Sequence, residues 1–267
     1  MSRYKAGFIG CGHMGHAVAT AVAAVCGAAH IAICDRHPEK QEDLTAAGAV
    51  RADAAGAADA DFLFIGVKPY AVADALREAG DGLSKTGALV SMATAVTISD
   101  IEAMLRGLGY DLPVIRMMPN TPVAVGHGVI QYAMSESADE RTEAAFRALL
   151  GLAGTVSPIR EDKMDAASAV SGCGPAFAYM FLEALADGGV ACGLSRSEAE
   201  AFAAGMVIGA GEMARTYGHV GDLKNAVCSP GGSTIEGVRT LEEPAFRGAV
   251  TDAVMAAYEK TVRMKKK

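Results

Sequence analysis

The sequence predicts an α/β domain over residues 1–159, followed by an all-helical domain over residues 160–267. In the first part, short apolar runs alternate with segments of helical pattern, and a glycine-rich turn follows the first run. After about residue 159, the strand-like runs give way to long amphipathic and alanine-rich segments. Alternation of apolar strands with helices is typical of a parallel sheet that helices cover on both faces.

The individual elements follow from the same patterns. Runs rich in Val, Ile, Phe and Met predict strands within 6–10, 30–35, 60–69, 88–96, 113–122, 126–134 and 155–159. Helices are predicted between them, over about 13–25, 38–48, 98–109 and 139–154. The second domain is expected to contain helices over 161–170, 174–193, 195–217 and 244–264.

Composition argues against several classes of function. The chain has 267 residues and a formal net charge of −7, which disfavours general binding to nucleic acid or to an anionic membrane. Its six cysteines form no C-x-x-C pair, and its six histidines have no metal-ligand spacing. We therefore expect a cytoplasmic protein with reduced thiols, no metal site, and no nucleic-acid or membrane partner.

The turn after the first strand has the pattern G-x-G-x-x-G, formed by Gly10, Gly12 and Gly15. In a Rossmann dinucleotide-binding domain, the first glycine permits a tight turn, and the second leaves room for the pyrophosphate. The third lets helix and strand approach each other. The alternative is an ordinary strand-to-helix turn with incidental glycines. The flanking strand and helix favour the dinucleotide loop.

The residues after the second predicted strand bear on the choice of cofactor. Asp35 lies where an acidic residue commonly accepts hydrogen bonds from a ribose 2′-hydroxyl, which favours NAD. Arg36 and His37 follow at once, and arginine pairs well with a 2′-phosphate, which favours NADP. Alternatively, both residues belong to a solvated turn before Pro38. The sequence leaves this choice open.

Two segments of the second domain are candidates for substrate binding: "SGCGPAF" at 171–177 and "SPGGSTIE" at 229–236. In the second, Ser233 and Glu236 have the spacing of a capping box that begins a helix. The same geometry presents free N–H groups and hydroxyls to a small carboxylate. The segment therefore predicts a helix start that also serves as an anion site.

Several of these motifs together resemble the pyrroline-5-carboxylate reductase family. They are "VKP" at 67–69, "IRMMPNTPV" at 115–123, "SGCGPAF" and "SPGGST", in the family's order. The resemblance implies NAD(P)H-dependent reduction of the cyclic imine 1-pyrroline-5-carboxylate to L-proline, the last step of proline biosynthesis. It also implies a homodimer, or a higher homo-oligomer, built through the helical domain. We expect NADPH as cofactor, with NADH as the alternative.

The resemblance also implies roles for particular residues. Thr234 is the expected catalytic residue, since its hydroxyl faces the ring nitrogen in the family. Expected substrate contacts are Ser229, Gly232, Ser233, Thr234 and Glu161. Expected cofactor contacts are Ile9, Gly10, Cys11, Gly12, His13, Met14, Asp35, Arg36, His37, Val67, Lys68, Pro69, Met92, Ala93, Thr94, Asn120 and Thr121.

The chain departs from the family pattern at a few positions. Ala95 replaces a glycine, Asp53 replaces an asparagine, and Cys173 and Phe177 replace a serine and a tyrosine. Packing should survive the changes at Cys173 and Phe177. The changes at Ala95 and Asp53 bear on cofactor preference more than on the reaction. Lys68 is expected at the cofactor rim, because the catalytic lysine of hydroxyacid dehydrogenases lies in their helical half.

Three other functions stay open at this stage. A β-hydroxyacid dehydrogenase would need a lysine–asparagine pair on the central helix, and 174–193 contains neither residue. A dinucleotide-sensing regulatory protein would have kept the fold and lost the chemistry, although the intact "SPGGST" argues against this. A reductase of six-membered imine acids differs by one methylene, which a pocket discriminates by only about 1–3 kcal/mol.

Overall fold

The computed structural model describes residues 2–264, and Met1 and 265–267, the outer ends of the two predicted domains, lie outside the described residues. An eight-stranded sheet forms the N-terminal part, with the order β3-β2-β1-β4-β5-β6-β7-β8. The strands are β1 (Tyr4–Ile9), β2 (Ile31–Cys34), β3 (Val50–Arg51), β4 (Ala60–Ile65), β5 (Ala88–Ser91), β6 (Val114–Met118), β7 (Gly128–Met134) and β8 (Gly154–Pro158).

Helices connect the strands and make up the remainder of the described chain. Those of the sheet region are α1 (His13–Cys26), α2 (Glu42–Ala46), α3 (Ala54–Ala58), α4 (Val72–Ala79), α5 (Ile98–Gly107), α6 (Glu140–Leu149) and α7 (Met164–Ser171). They are followed by α8 (Gly174–Ala191), α9 (Arg196–Tyr217), α10 (Val220–Ala226), α11 (Ser233–Glu242) and α12 (Phe246–Met264). Short 3₁₀ turns include Pro38–Gln41, Pro69–Ala71 and Thr121–Val125.

The predicted fold class is confirmed, with one correction to the sheet. Strands β1 to β6 are parallel and follow the order of a Rossmann domain. Strand β7 runs antiparallel to β6, so the sheet is not wholly parallel as predicted. Only 119–127 connect these two strands, and a parallel crossover needs a dozen or more residues.

The sheet core lies on both faces, as expected for strands that are apolar throughout. Phe8 stacks on Phe64 of the neighbouring strand, with ring centroids 4.7 Å apart, and both side chains are fully buried. On β7, Tyr132 meets the ring of Phe146 from α6 edge-on. This core fixes the carboxyl ends of the strands, which carry the loops described below.

By its contacts, the described chain forms two compact units. One comprises the chain up to Cys173 together with the segment from Ala257 onward, and the other is Gly174–Ala256. We predicted a boundary after residue 159, between a dinucleotide-binding domain and a dimerisation domain. That boundary stays a prediction. Within Gly174–Ala256, few side chains are buried, and Met180, Phe202 and Ile208 are each more than 60% exposed.

One helical run among the described residues, Glu161–Ala191, is long and apolar enough to cross a membrane by length and composition. Its most apolar window has a mean hydropathy of 1.3, and 11% of that window is buried. A single run of this kind is weak evidence for a membrane span, because a helix that a protein buries in its core can have the same length and composition.

Candidate active site

The glycine loop between β1 and α1 has the geometry that the sequence predicts. Gly10 has a φ of 84°, and its N–H donates to the Cys34 carbonyl at 2.9 Å, which ties the loop to β2. A Cβ on Gly15 would lie 2.5 Å from the Gly10 carbonyl oxygen. The tight turn at Gly10 and the close approach at Gly15 are therefore confirmed.

The N-terminus of α1 fits an anionic pyrophosphate. Its N-cap is Gly12, which provides no side-chain cap, and the first turn carries no acidic residue. A Cβ on Gly12 would meet no described atom within 4 Å, so the space in front of this helix end is open. Uncapped N–H groups at a helix N-terminus, together with the helix dipole, favour a bound phosphate.

The loops after β1, β4 and β5 meet at the edge where the strand order reverses, which is the ligand site of open α/β sheets. A Cβ on Gly66, directly after β4, would lie 2.3 Å from the Gly10 carbonyl oxygen and 3.0 Å from Met92 Cε. The structure thus brings together predicted cofactor residues that are far apart in sequence. They are Ile9, Gly10, Cys11, Gly12, His13, Met14, Val67, Lys68, Pro69, Met92, Ala93 and Thr94.

Asp35 follows β2 and faces the glycine loop. Its Oδ2 accepts the Cys11 N–H at 2.5 Å, and its Oδ1 accepts the His37 N–H at 2.7 Å. Its predicted role toward a ribose hydroxyl stays a prediction. Arg36 and His37 are exposed, and His37 Nδ1 lies 3.3 Å from Glu39 Oε1.

The buried side chain of Gln41 is a contributor that sequence reasoning missed. Gln41 is 2% exposed, and its Nε2 donates to the Cys11 carbonyl at 2.8 Å. Cys11 itself is fully buried, and burial raises the pKa of its thiol to about 12. A glutamine at the end of a proline-initiated turn carries no sequence signal for this contact, because its partner lies 30 residues earlier.

Asn120 and Thr121 follow β6, and the Asn120 side chain forms hydrogen bonds within the protein. The Asn120 side chain is 5% exposed; its Nδ2 donates to the Ser171 carbonyl at 3.0 Å, and its Oδ1 accepts the Val129 N–H at 2.8 Å. Gln131 also hydrogen-bonds the Ser171 hydroxyl. Asn120 therefore ties the end of α7 to the sheet, whereas Thr121 is exposed.

Glu161 belongs to an ionic cluster around the buried Arg116, which the sequence analysis did not predict. Its Oε1 accepts the Ile98 N–H at 2.8 Å and an Arg116 N–H at 3.0 Å. Arg116 on β6 is fully buried and lies 3.3 Å from Asp165 on α7. The only available sequence signal was an arginine inside an apolar strand run, and such a residue requires buried acidic partners.

The substrate-loop candidates lie before and at the start of α11. Gly231 has a φ of 70°, and the Gly232 N–H donates to the Ser229 carbonyl at 3.0 Å, which closes a turn. The predicted capping box is wrong. The N-cap is Gly232 with no side-chain cap, Ser233 is the first helical residue, and Glu236 pairs with Arg239 instead.

This correction leaves the first turn of α11 open. Ser233 sits one position too far along the helix for its hydroxyl to cap the first-turn N–H groups. Ser229, Ser233 and Thr234 are all exposed. Because the first turn lacks a side-chain cap, its N–H groups and neighbouring hydroxyls are available to a small carboxylate.

Two protein-family models match the chain. Residues 161–264 match the model described as pyrroline-5-carboxylate reductase dimerisation. Residues 5–95 match the model described as NADP oxidoreductase, coenzyme F420-dependent.

Full-length relatives agree with the first of these models. The chain is 36% identical to the pyrroline-5-carboxylate reductase of Escherichia coli (strain K12) over 98% of each chain. It is also 36% identical to that of Arabidopsis thaliana, over 97% of this chain and 94% of the relative.

Solved structures give the same result. The Plasmodium falciparum pyrroline carboxylate reductase with NADP bound aligns over 99% of both chains, with a TM-score of 0.87 and 31% identity. The Coxiella burnetii pyrroline-5-carboxylate reductase aligns over 100% of this chain and 99% of that chain, with a TM-score of 0.86 and 29% identity. With the glycine loop, the uncapped α11 and full-length similarity in one chain, the protein belongs to the pyrroline-5-carboxylate reductase family.

Proposed function

We propose that this NAD(P)H-dependent oxidoreductase reduces 1-pyrroline-5-carboxylate to L-proline, with NADPH as cofactor and NADH as the alternative. The observation that carries the proposal is that one chain has two helix N-termini without side-chain caps, each suited to one of the two anionic groups of the reaction. One follows the glycine loop, and the other follows Gly231 and Gly232. The first fits a pyrophosphate and the second a small carboxylate.

At the cofactor end, the N–H groups at the start of α1 would hold the pyrophosphate. Gly12 keeps that surface free of a side chain, whereas Gly10 and Gly15 allow the close packing of the loop against its neighbours. The loops after β4 and β5 border the same edge of the sheet, and Lys68 there is exposed. When bound, the nicotinamide supplies the hydride, and the protein supplies orientation and electrostatics.

At the substrate end, the N–H groups of the first turn of α11 would bind the carboxylate of the imine acid. Ser229 would add a hydroxyl donor, and Gly232 keeps the turn compact. Fixing the carboxylate also fixes the C=N bond one atom away, and orientation of this kind is where an enzyme gains much of its rate.

Protonation of the imine nitrogen does not require a strong acid from the protein. A cyclic imine is readily protonated near neutral pH, so a strong general acid is less necessary than in ketone reduction. The second predicted domain contains a single histidine, His219. We therefore assign Thr234 to the ring nitrogen, where its hydroxyl orients the imine and exchanges a hydrogen bond with it.

Glu161 has contacts within the protein that restrict its role toward the substrate. Its Oε1 already accepts two hydrogen bonds, from Ile98 N–H and Arg116, so only its other oxygen remains for a substrate. A role for Glu161 in positioning the start of α7 is supported by these contacts. Direct contact with the imine acid rests on the family resemblance alone.

Self-association is the third part of the proposal. The chain carries a dimerisation domain of this family, at residues 161–264. Large apolar side chains on α8 and α9, among them Met180 and Phe202, are exposed in the single chain. A second copy that packs against these helices would bury them, and it would also account for the apolar composition of Glu161–Ala191.

Substitution of Thr234 tests the assigned chemistry. Thr234→Ala should lower the turnover number about tenfold or more, because it removes the hydroxyl at the ring nitrogen. The affinity for NADP⁺, measured by calorimetry, should not change. Thr240→Ala is the matched control, since Thr240 lies on the same helix and donates to the Glu236 carbonyl. Unchanged turnover in Thr234→Ala would remove the role of this residue.

A further inference from the structure

The carboxylate of Asp35 is engaged by the protein itself. Oδ2 accepts the N–H of Cys11, the residue between the first two loop glycines, and Oδ1 accepts the N–H of His37. The distances are 2.5 Å and 2.7 Å, at the close end of what N–H donors to a carboxylate show. Each oxygen thus fixes a different segment, the glycine loop on one side and its own loop on the other.

Gln41 holds the same peptide unit from the other direction. Its Nε2 donates to the Cys11 carbonyl at 2.8 Å, and its Oε1 is buried without a hydrogen-bond partner among the described residues. Both backbone polar groups of Cys11 are therefore bound by side chains of the segment that follows β2. Together with the bond from Gly10 N–H to the Cys34 carbonyl, these contacts fasten the glycine loop to that segment.

We propose that Asp35 and Gln41 form a loop brace, which holds the glycine loop in the shape that binds a pyrophosphate. Asp35 is then a positioning residue and does not select the ribose, and Arg36 makes that selection. This inference rests on the proposed function, because it assumes that the loop binds a dinucleotide.

The charges of the segment support this division of roles. Two N–H donors oppose the negative charge of Asp35, which weakens its repulsion of a nearby phosphate. Arg36 is exposed, and among residues 2–264 no hydrogen bond or ion pair occupies its guanidinium. A free guanidinium next to a carboxylate whose oxygens already accept hydrogen bonds within the protein is suited to a 2′-phosphate.

Dinucleotide binding by Asp35→Asn distinguishes a brace from a ribose ligand. An asparagine cannot accept both N–H groups as a carboxylate does, so we expect Kd for NADP⁺ and for NAD⁺ to rise by a similar factor, about tenfold. In steady-state assays, KM for both reduced cofactors should rise while kcat stays within about twofold. A ribose ligand predicts the opposite pattern, with weaker NAD⁺ and tighter NADP⁺ binding.

Three further variants complete the test, all measured by isothermal titration with NADP⁺ and NAD⁺. Gln41→Met removes the other half of the brace without a change of charge, so both Kd values should again rise together, and thermal unfolding verifies that it folds. Arg36→Ala should weaken NADP⁺ alone, by about tenfold. Asp43→Asn is the control, because it removes a charge nearby while its partner is His16.

The outcomes separate the two levels of the proposal. A ratio of NADP⁺ to NAD⁺ affinity that shifts in Asp35→Asn overturns the brace, as does an Asp35→Asn variant that binds both dinucleotides as tightly as Asp43→Asn. If Asp35→Asn does not fold, unequal or absent effects in Gln41→Met overturn the brace. A wild-type protein that binds neither dinucleotide overturns the proposed function itself.

Discussion

Ala95 stands in the loop after β5 with a φ of 68°, in the left-handed region where alanine is strained. The left-handed conformation costs a residue with a Cβ roughly 1–2 kcal/mol, and a substitution to glycine relieves this strain. The greater freedom of glycine in the unfolded chain offsets part of the stability gained. Ala95→Gly should therefore raise the free energy of unfolding by about 0.5–1 kcal/mol, measured by urea denaturation.

Ala138→Gly is the matched control for that prediction. Ala138 also lies in a loop and is also partly exposed, but its φ is not positive. The same substitution there should lower the free energy of unfolding by about 0.5–1 kcal/mol, because only the cost in unfolded-state freedom remains. Equal effects at both positions would show that Ala95 is not strained.

The reactivity of Cys11 reports how tightly the glycine loop is packed. Burial raises the pKa of its thiol to about 12, and the side chain is fully buried. At pH 8, about one molecule in ten thousand carries the reactive thiolate there, even before access is considered. Iodoacetamide at pH 8 should therefore label the exposed Cys192 and spare Cys11, as judged by peptide mass spectrometry.

Denatured protein provides the control for this labelling, since all six cysteines should then react. Rapid labelling of Cys11 in the folded protein would contradict the packed loop. The fraction of reactive thiolate rises as pH approaches the raised pKa, so any labelling of Cys11 should increase steeply with pH.

At the scale of residues, local constraints were predictable and remote ones were not. The roles of Gly10 and Gly15 follow from neighbours a few positions away, so the pattern alone was sufficient. The partner of Asp35 lies 24 residues earlier in the chain, and Arg116 meets its acidic partners 45 and 49 residues later. Such contacts depend on the sheet order, which the sequence does not state.

Among elements, two helix starts that look alike in sequence differ in the structure. Ser195 caps α9, and a capping box with Glu198 is present. Ser233 lies inside α11 and caps nothing. Ser195→Ala should therefore lower the free energy of unfolding by about 1 kcal/mol, whereas Ser233→Ala should change it by less than about 0.5 kcal/mol.

Urea denaturation of the two serine variants under the same conditions measures this difference. The Ser195→Ala variant serves as the positive control for the sensitivity of the assay. If Ser233→Ala lowered the free energy of unfolding as much as Ser195→Ala, Ser233 would act as a helix cap, and the absence of a capping box at α11 would be wrong.

Long elements with a clear period were predictable, and short ones were not. Seven strand-length runs were predicted, and each overlaps a strand of the structure. The two-residue β3 was missed, because a pair such as Val50–Arg51 has no recognisable alternation. The antiparallel direction of β7 was missed because strand direction depends on connection length, not on strand composition.

For the whole molecule, the exposed apolar surface of the helical unit predicts self-association. The chain has a mass of 27.3 kDa, and light scattering at micromolar concentration should give at least twice that value. Ile208→Glu, on α9 at a position 68% exposed in the single chain, should shift the protein toward monomer and lower its activity. A charge buried between copies without a partner is strongly unfavourable.

Leu152→Glu is the control for that substitution, since Leu152 is an exposed apolar residue before β8. It should leave the measured mass unchanged. A wild-type monomer at micromolar concentration, or equal effects of the two variants, would contradict assembly through the helices.

The most direct test of the function is a coupled measurement on the wild-type protein. Purified protein is supplied with 1-pyrroline-5-carboxylate and either NADPH or NADH; nicotinamide absorbance is followed, and proline is quantified by chromatography. We predict equimolar loss of NADPH and formation of L-proline, with slower reaction for NADH. Dinucleotide binding without proline formation would contradict the proposed reaction, and it would favour a dinucleotide sensor or a reductase of six-membered imine acids.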